Sequence, residues 1–107
     1  MRLTEIIPHL QARPGMFGLD EQFSSYAAFL YGFSAADQYG DLARYRKWLA
    51  GQLALDGSLG WAGIVLRMAF PHDIKSWGLH AERSAEQERI AIATLIRTLE
   101  EFAEEAP

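Results

Sequence analysis

Apolar residues recur along nearly the whole chain at spacings of three and four, with no sustained strict alternation, which is the period of a helix and not of a half-buried strand. The pattern predicts an all-α compact bundle of about five helices, over residues 5–13, 20–39, 41–54, 59–70 and 84–104. In the first, Thr4 is placed to cap the unbonded amides and Pro8 falls in the first turn, where a missing N–H is tolerated; Pro14 and Gly15 then end it. Asp20 is the expected N-cap of the second. Phe23, Ala27, Leu30 and Ser34 share one of its faces and Tyr26, Phe29, Phe33 and Ala36 another. The apolar arc is therefore wider than the usual stripe of about 100°, and the helix is expected to be central or part of an interface.

Gly40 should stop that helix and Asp41 cap the third, whose stripe is Leu42, Tyr45, Trp48, Leu49 and Leu53. Arg44, Arg46 and Lys47 then fall largely outside it. After the turn residues Asp56, Gly57 and Ser58, the stretch from Leu59 to Phe70 has Arg67 as its only charge and reads as a core helix. Gly60 and Gly63 would each cost about 1 kcal/mol relative to Ala in a helix interior, but small residues three apart also permit close approach of another helix. Pro71 ends the segment, and residues 72–83 read as an irregular connection with one helical turn. The last helix carries the clearest signals. Ser84 and Gln87 stand in capping-box spacing, Glu86 and Glu88 suit the positive end of the helix dipole, and Ile92, Leu95, Ile96, Leu99, Phe102 and Ala103 form the stripe.

Half of the 107 residues are apolar, with six Phe, four Tyr and three Trp, enough for one real core and too short a chain for two. Residues 1–107 are therefore read as a single domain. There is no cysteine, which removes disulfides, thiolate metal sites and thiol nucleophiles and suits a cytoplasmic setting. Near the N-terminus, Glu5 and Pro8 stand where a secretory signal would carry an apolar run. The longest apolar stretch, Trp61 to Phe70, is about half of the roughly 20 residues that a membrane-spanning helix needs. Residues 1–97 hold ten basic and ten acidic side chains, so the net charge of −4 comes from Glu100, Glu101, Glu104 and Glu105. That balance gives no basic footprint for nucleic acid.

Catalysis needs convergent polar groups, and these are sparse. His72, Asp73 and His80 could meet in one loop, but their spacing fits no metal motif with a mechanism attached, and His9 stands alone. The glycines follow no strand as a phosphate-binding loop would, and no serine sits in a nucleophile elbow. No cofactor and no metal are expected. Asp37 and Asp41 are four apart, yet Gly40 lies between them. The grouped features are instead aromatic and acidic. Tyr26, Tyr31, Tyr39, Tyr45 and Trp77 are of the type enriched in binding hot spots, although Tyr26 and Tyr45 also fit the core. Carboxylates at a helix C-terminus oppose its dipole by a few tenths to about 1 kcal/mol each, so local stability does not favour them. They suit either a solvated tail or a negative patch for a basic partner.

Arg13-Pro14-Gly15-Met16-Phe17, Phe29-Leu30-Tyr31-Gly32-Phe33, Tyr45-Arg46-Lys47-Trp48-Leu49 and Ser58-Leu59-Gly60-Trp61 follow one another in an order that resembles a small bacterial family. Its members look like immunity proteins of polymorphic toxin systems, and the likeness covers most of residues 10–70. The first of these motifs also occurs in gyrase and topoisomerase nucleotide-binding domains, which are much longer and carry phosphate-binding elements missing here. The resemblance implies a non-enzymatic protein that neutralises a cognate toxin, such as a basic nuclease, by binding it. With the charge pattern, it makes Asp37, Tyr39 and Asp41 at the junction of the second and third helices, and Glu100, Glu101 and Glu104 on the last, the candidate partner-binding residues. Competing readings are a small-molecule site between the second and fourth helices, a homo-oligomer joined through the second helix, and an enzyme using His72, Asp73 and His80.

Overall fold

The longest amphipathic stripe in the sequence becomes the element around which the others pack. A computed structural model describes residues 2–12, 20–35, 40–53 and 59–105. These form α1 (Leu3–Ala12), α2 (Phe23–Ser34), α3 (Gly40–Gln52), α4 (Trp61–Ala69) and α5 (Ala85–Glu105), with a 3-10 turn at Ile74–Ser76 between α4 and α5. The all-α bundle read from the periodicity is what is found. At 1.5 Å per residue, the 21 residues of α5 reach about 30 Å, nearly the whole 34 Å extent of the molecule. It touches each of the other four helices.

The start of α5 is a complete capping box. The Ser84 N–H donates to Gln87 Oε1 at 2.9 Å and the Gln87 N–H donates to Ser84 Oγ at 3.1 Å. Ala91, Leu95, Leu99 and Phe102 are buried along the inner face. Thr94 and Thr98 are buried there too, and each hydroxyl donates to a carbonyl four residues back, Ile90 at 2.8 Å and Thr94 at 2.9 Å. Because the Thr98 proton is committed in this way, the Tyr45 hydroxyl is the donor in its 2.6 Å contact with Thr98 Oγ1. Around that contact an aromatic cluster joins four helices. The Tyr45 ring lies 5.9 Å from Trp61 and 5.5 Å from Phe102, with Tyr31 against Trp61 and Trp48 against Phe102.

The helix starts differ from the sequence expectation, and one physical cause accounts for two of them: the caps come from other helices. α1 begins at Leu3, not after a Thr4 cap. Glu5 Oε1 accepts from the Arg2 N–H at 3.1 Å, and the Leu3 N–H donates to Asp41 Oδ2 of α3 at 3.2 Å. Pro8 therefore lies inside the helix and not in its first turn. α2 begins at Phe23. Asp20 accepts from the Gln22 N–H at 2.9 Å just before the helix, while the Phe23 N–H donates to Glu88 Oε1 of α5 at 2.8 Å. Gly40 opens α3 instead of terminating α2, whose expected continuation over residues 36–39 lies outside the described residues.

Two side-chain expectations also change. Leu53 lies just beyond α3 and is exposed, so the buried stripe of that helix ends at Leu49 and Ala50. At Gly63 an added Cβ would sit 2.8 Å from the Leu59 side chain, so the missing side chain admits the chain's own preceding residue and not another helix.

The connection before α5 is organised by Arg83, whose side chain is only 1% exposed. Its Nε donates to Glu88 Oε2 at 2.8 Å, Nη1 to the carbonyls of Ser76 and Gly78 at 2.9 and 2.8 Å, and Nη2 to that of Leu79 at 3.0 Å. One guanidinium thus satisfies three loop carbonyls and holds the carboxylate that caps α2. Removing either member leaves a buried charge unpaired, which typically costs about 3–5 kcal/mol. Glu88→Ala and Arg83→Ala are each expected to lower the unfolding free energy by about that amount in urea titrations, and the double variant by clearly less than the sum. Additive losses would show that the two side chains do not act as a pair.

Burial holds the Tyr45 hydroxyl well above its ordinary pKa of 10.0, against the pull of the Arg97 charge. Folded Tyr45 keeps its proton where unfolded Tyr45 loses it. The stability this contributes is therefore complete below about pH 10 and is lost above it. Tyr45→Phe is expected to cost about 1 kcal/mol at neutral pH and to flatten the alkaline fall in melting temperature. An unchanged alkaline slope would contradict this.

Candidate functional site

The grouped carboxylates of the sequence end up in one place. Glu100, Glu101, Glu104 and Glu105 occupy the C-terminal part of α5, whose last turn has no basic residue to offset them against the helix dipole. α1 passes alongside and supplies Gln11, whose Nε2 donates to Glu100 Oε1 at 2.6 Å. A neutral amide orients that carboxylate without cancelling its charge. Arg97 Nη1 meets Glu101 Oε1 at 3.2 Å, an exposed i, i+4 pair. Glu104 has no hydrogen-bond or ion-pair partner among the described residues.

Two open cavities, of about 480 and 240 Å³, flank the Gln11–Glu100 contact and share Gln11, Glu100 and Glu104 as lining. They are two lobes of one groove between α1 and α5. Its apolar lining is Ile7 and Pro8 from α1 and Ala93, Ile96 and Ala103 from α5. Pro8 has a second effect, because without an N–H it cannot bond the Thr4 carbonyl, its partner in an unbroken helix, and Thr4 also lines the groove.

The other sequence candidates fall elsewhere. Asp41 is 1% exposed and belongs to the interior. It accepts from the Leu3 amide, from Arg2 Nη2 at 2.8 Å and from Arg44, so its carboxylate is engaged in holding α1 on α3 and is not presented to a partner. The sequence pattern makes it the cap of the third helix and a partner-binding candidate, because the distant Leu3 amide and Arg2 that bury it leave no local sign. Asp37 and Tyr39 lie outside the described residues. Tyr31 is 42% exposed, beside Gly32, whose position has open space around it. Trp77 is half-buried, its indole N–H donating to the Phe70 carbonyl at 2.7 Å and its ring lying 4.6 Å from the Arg67 guanidinium.

His72, Asp73 and His80 do not gather. His72 and His80 are exposed, while Asp73 accepts from the Ser76 hydroxyl at 2.7 Å within its own turn. His80 borders a cleft of about 220 Å³ with Ser24, Arg83 and Glu88, and neither His72 nor Asp73 lines it. No cluster of three His, Cys, Asp or Glu side chains that could hold a metal occurs among the described residues. None of these three cavities lies between α2 and α4, where the competing small-molecule reading places its site. No helix among the described residues is long and apolar enough to cross a membrane.

Of the four motifs behind the family resemblance, the first lies outside the described residues. Tyr31, Tyr45, Trp48 and Trp61 from the other three take part in the aromatic cluster that joins the helices. Sequence reasoning missed Thr4, Pro8 and Gln11 as members of the groove. The available signal was a proline too far into α1 to be harmless. Pro8→Ala would restore a donor for the Thr4 carbonyl and is expected to raise the unfolding free energy by about 1–3 kcal/mol. A loss on this substitution would mean that Pro8 supports the fold. The chain matches no protein-family model, no curated protein and no solved structure.

Proposed function

We propose that the chain is a non-enzymatic binding protein that neutralises a basic protein partner, as an immunity protein neutralises its cognate bacterial toxin. The observation that carries this reading is the placement of Glu100, Glu101 and Glu104 together beside a groove, against the dipole of α5 and with Arg97 as the one cation in the lining. Carboxylates in that position weaken the helix, so their grouping serves something other than its stability. A concentrated negative face speeds encounter with a positively charged partner and orients it, which suits an inhibitor that must find a basic nuclease before its substrate does. The likeness of residues 10–70 to immunity proteins supports the same reading.

The gene beside this one is the direct test. It is expected to encode a secreted protein ending in a small toxin-like domain. Co-expression of this chain is expected to restore growth to cells producing that domain, and the two purified proteins to co-elute as one complex. A toxin domain that kills equally with and without the chain, and forms no complex with it, would overturn the reading.

A further inference from the structure

The groove between α1 and α5 has a chemistry that specifies what can fill it, and this inference rests on the protein-binding reading above. Its charged groups are mostly carboxylates, Glu100, Glu101 and Glu104 against the single cation Arg97. Glu104 is unpaired among the described residues, Glu100 is oriented by a neutral donor, and the Thr4 carbonyl has lost its helical donor to Pro8. The one cation in the lining, Arg97, is paired with Glu101. Each cavity also has apolar lining beside the carboxylates, Ile7, Pro8 and Ala103 in one and Ala93 and Ile96 in the other. Such a surface does not suit an anion or a carbohydrate. It matches a segment that brings cationic donors on one side and apolar side chains on the other.

We propose that the α1–α5 groove docks a basic amphipathic helical segment of the partner protein, with Lys or Arg side chains reaching Glu100 and Glu104 and apolar side chains against the Ala93 and Ile96 lining. The spacing follows from α5. Glu100 and Glu104 are one turn apart, about 6 Å along the axis, which matches cations at i and i+4 of a docked helix. Gln11 holds Glu100 in place for such a segment.

The probe is a synthetic amphipathic helical peptide with arginines at i and i+4 opposite a leucine and alanine face, titrated into the ¹⁵N-labelled chain at low salt. A control peptide has the same composition with the arginines dispersed around the helix. Amide shifts are expected to concentrate in residues 4–11 and 93–104, and the control to bind several-fold more weakly. Glu100→Lys with Glu104→Lys is expected to weaken binding by about tenfold or more, since like charge in the groove repels the peptide. These substitutions place cations at the negative end of α5, so the melting temperature should hold or rise. Glu100→Gln with Glu104→Gln, which keeps the shape, should fall between. Shifts centred elsewhere, equal affinity for the dispersed control, or charge-reversed chain binding as well as the wild type would each overturn the proposal. The growth assay above is independent of these outcomes, because a toxin can be bound through another face.

Discussion

Asp41 and Glu88 each close the amino end of a helix other than their own, and the arrangement of the bundle depends on that exchange. The first amides of a helix have no partner within it, and burying them unpaired costs as much as losing a hydrogen bond. Most helices meet this need with a local side chain. Here α1 takes its cap from α3 through Leu3 and Asp41, and α2 takes its cap from α5 through Phe23 and Glu88. A local cap fixes where a helix starts. A cap borrowed from another helix also fixes where that helix sits, so two of the helix contacts are directional and not merely apolar. Each carboxylate is in turn held by arginine, Arg2 and Arg44 at Asp41 and Arg83 at Glu88, so neither negative charge is buried alone.

α5 divides along its length between this architectural work and the surface. Its first half supplies Glu88 and the capping box, its inner face supplies Leu95, Leu99 and Phe102, and its C-terminal turns carry the carboxylates. α1 is pinned at its start by Asp41 and presents Gln11 to Glu100 near its end. The groove is therefore bounded by two elements packed directly on each other, one of them also anchored at its start to α3. A preformed groove lowers the ordering cost of binding and leaves more of the interaction as affinity.

Local and periodic features were legible in the sequence. The stripe of α5, the reciprocal Ser84–Gln87 cap, the buried face of Phe23, Ala27, Leu30 and Ser34, and the irregular passage with a single turn at Ile74–Ser76 all follow from spacing and short-range chemistry. Helix starts were not, because an amide capped from 38 or 65 residues away leaves no local signature. Asp20 and Asp41 looked like N-caps for the helices that follow them, yet one bends the chain before α2 and the other caps α1. Glu88 was read only as an acid suited to the first turn of α5, and Arg83 carried no signal at all. The acidic half of the site was visible as a run of glutamates. The half from α1 was not, since placing Pro8 in the first turn hid its effect on Thr4.

Native-state hydrogen exchange of two amides tests the central physical claim most directly. First-turn amides of a helix normally exchange quickly because nothing within the helix binds them. If Asp41 and Glu88 hold the bundle as described, the Leu3 and Phe23 amides will be protected far more than ordinary first-turn amides, and Phe23 will exchange only when the bundle unfolds globally. Rapid, independent exchange of both, with the helical core still protected, would show that the borrowed caps do not position these helices.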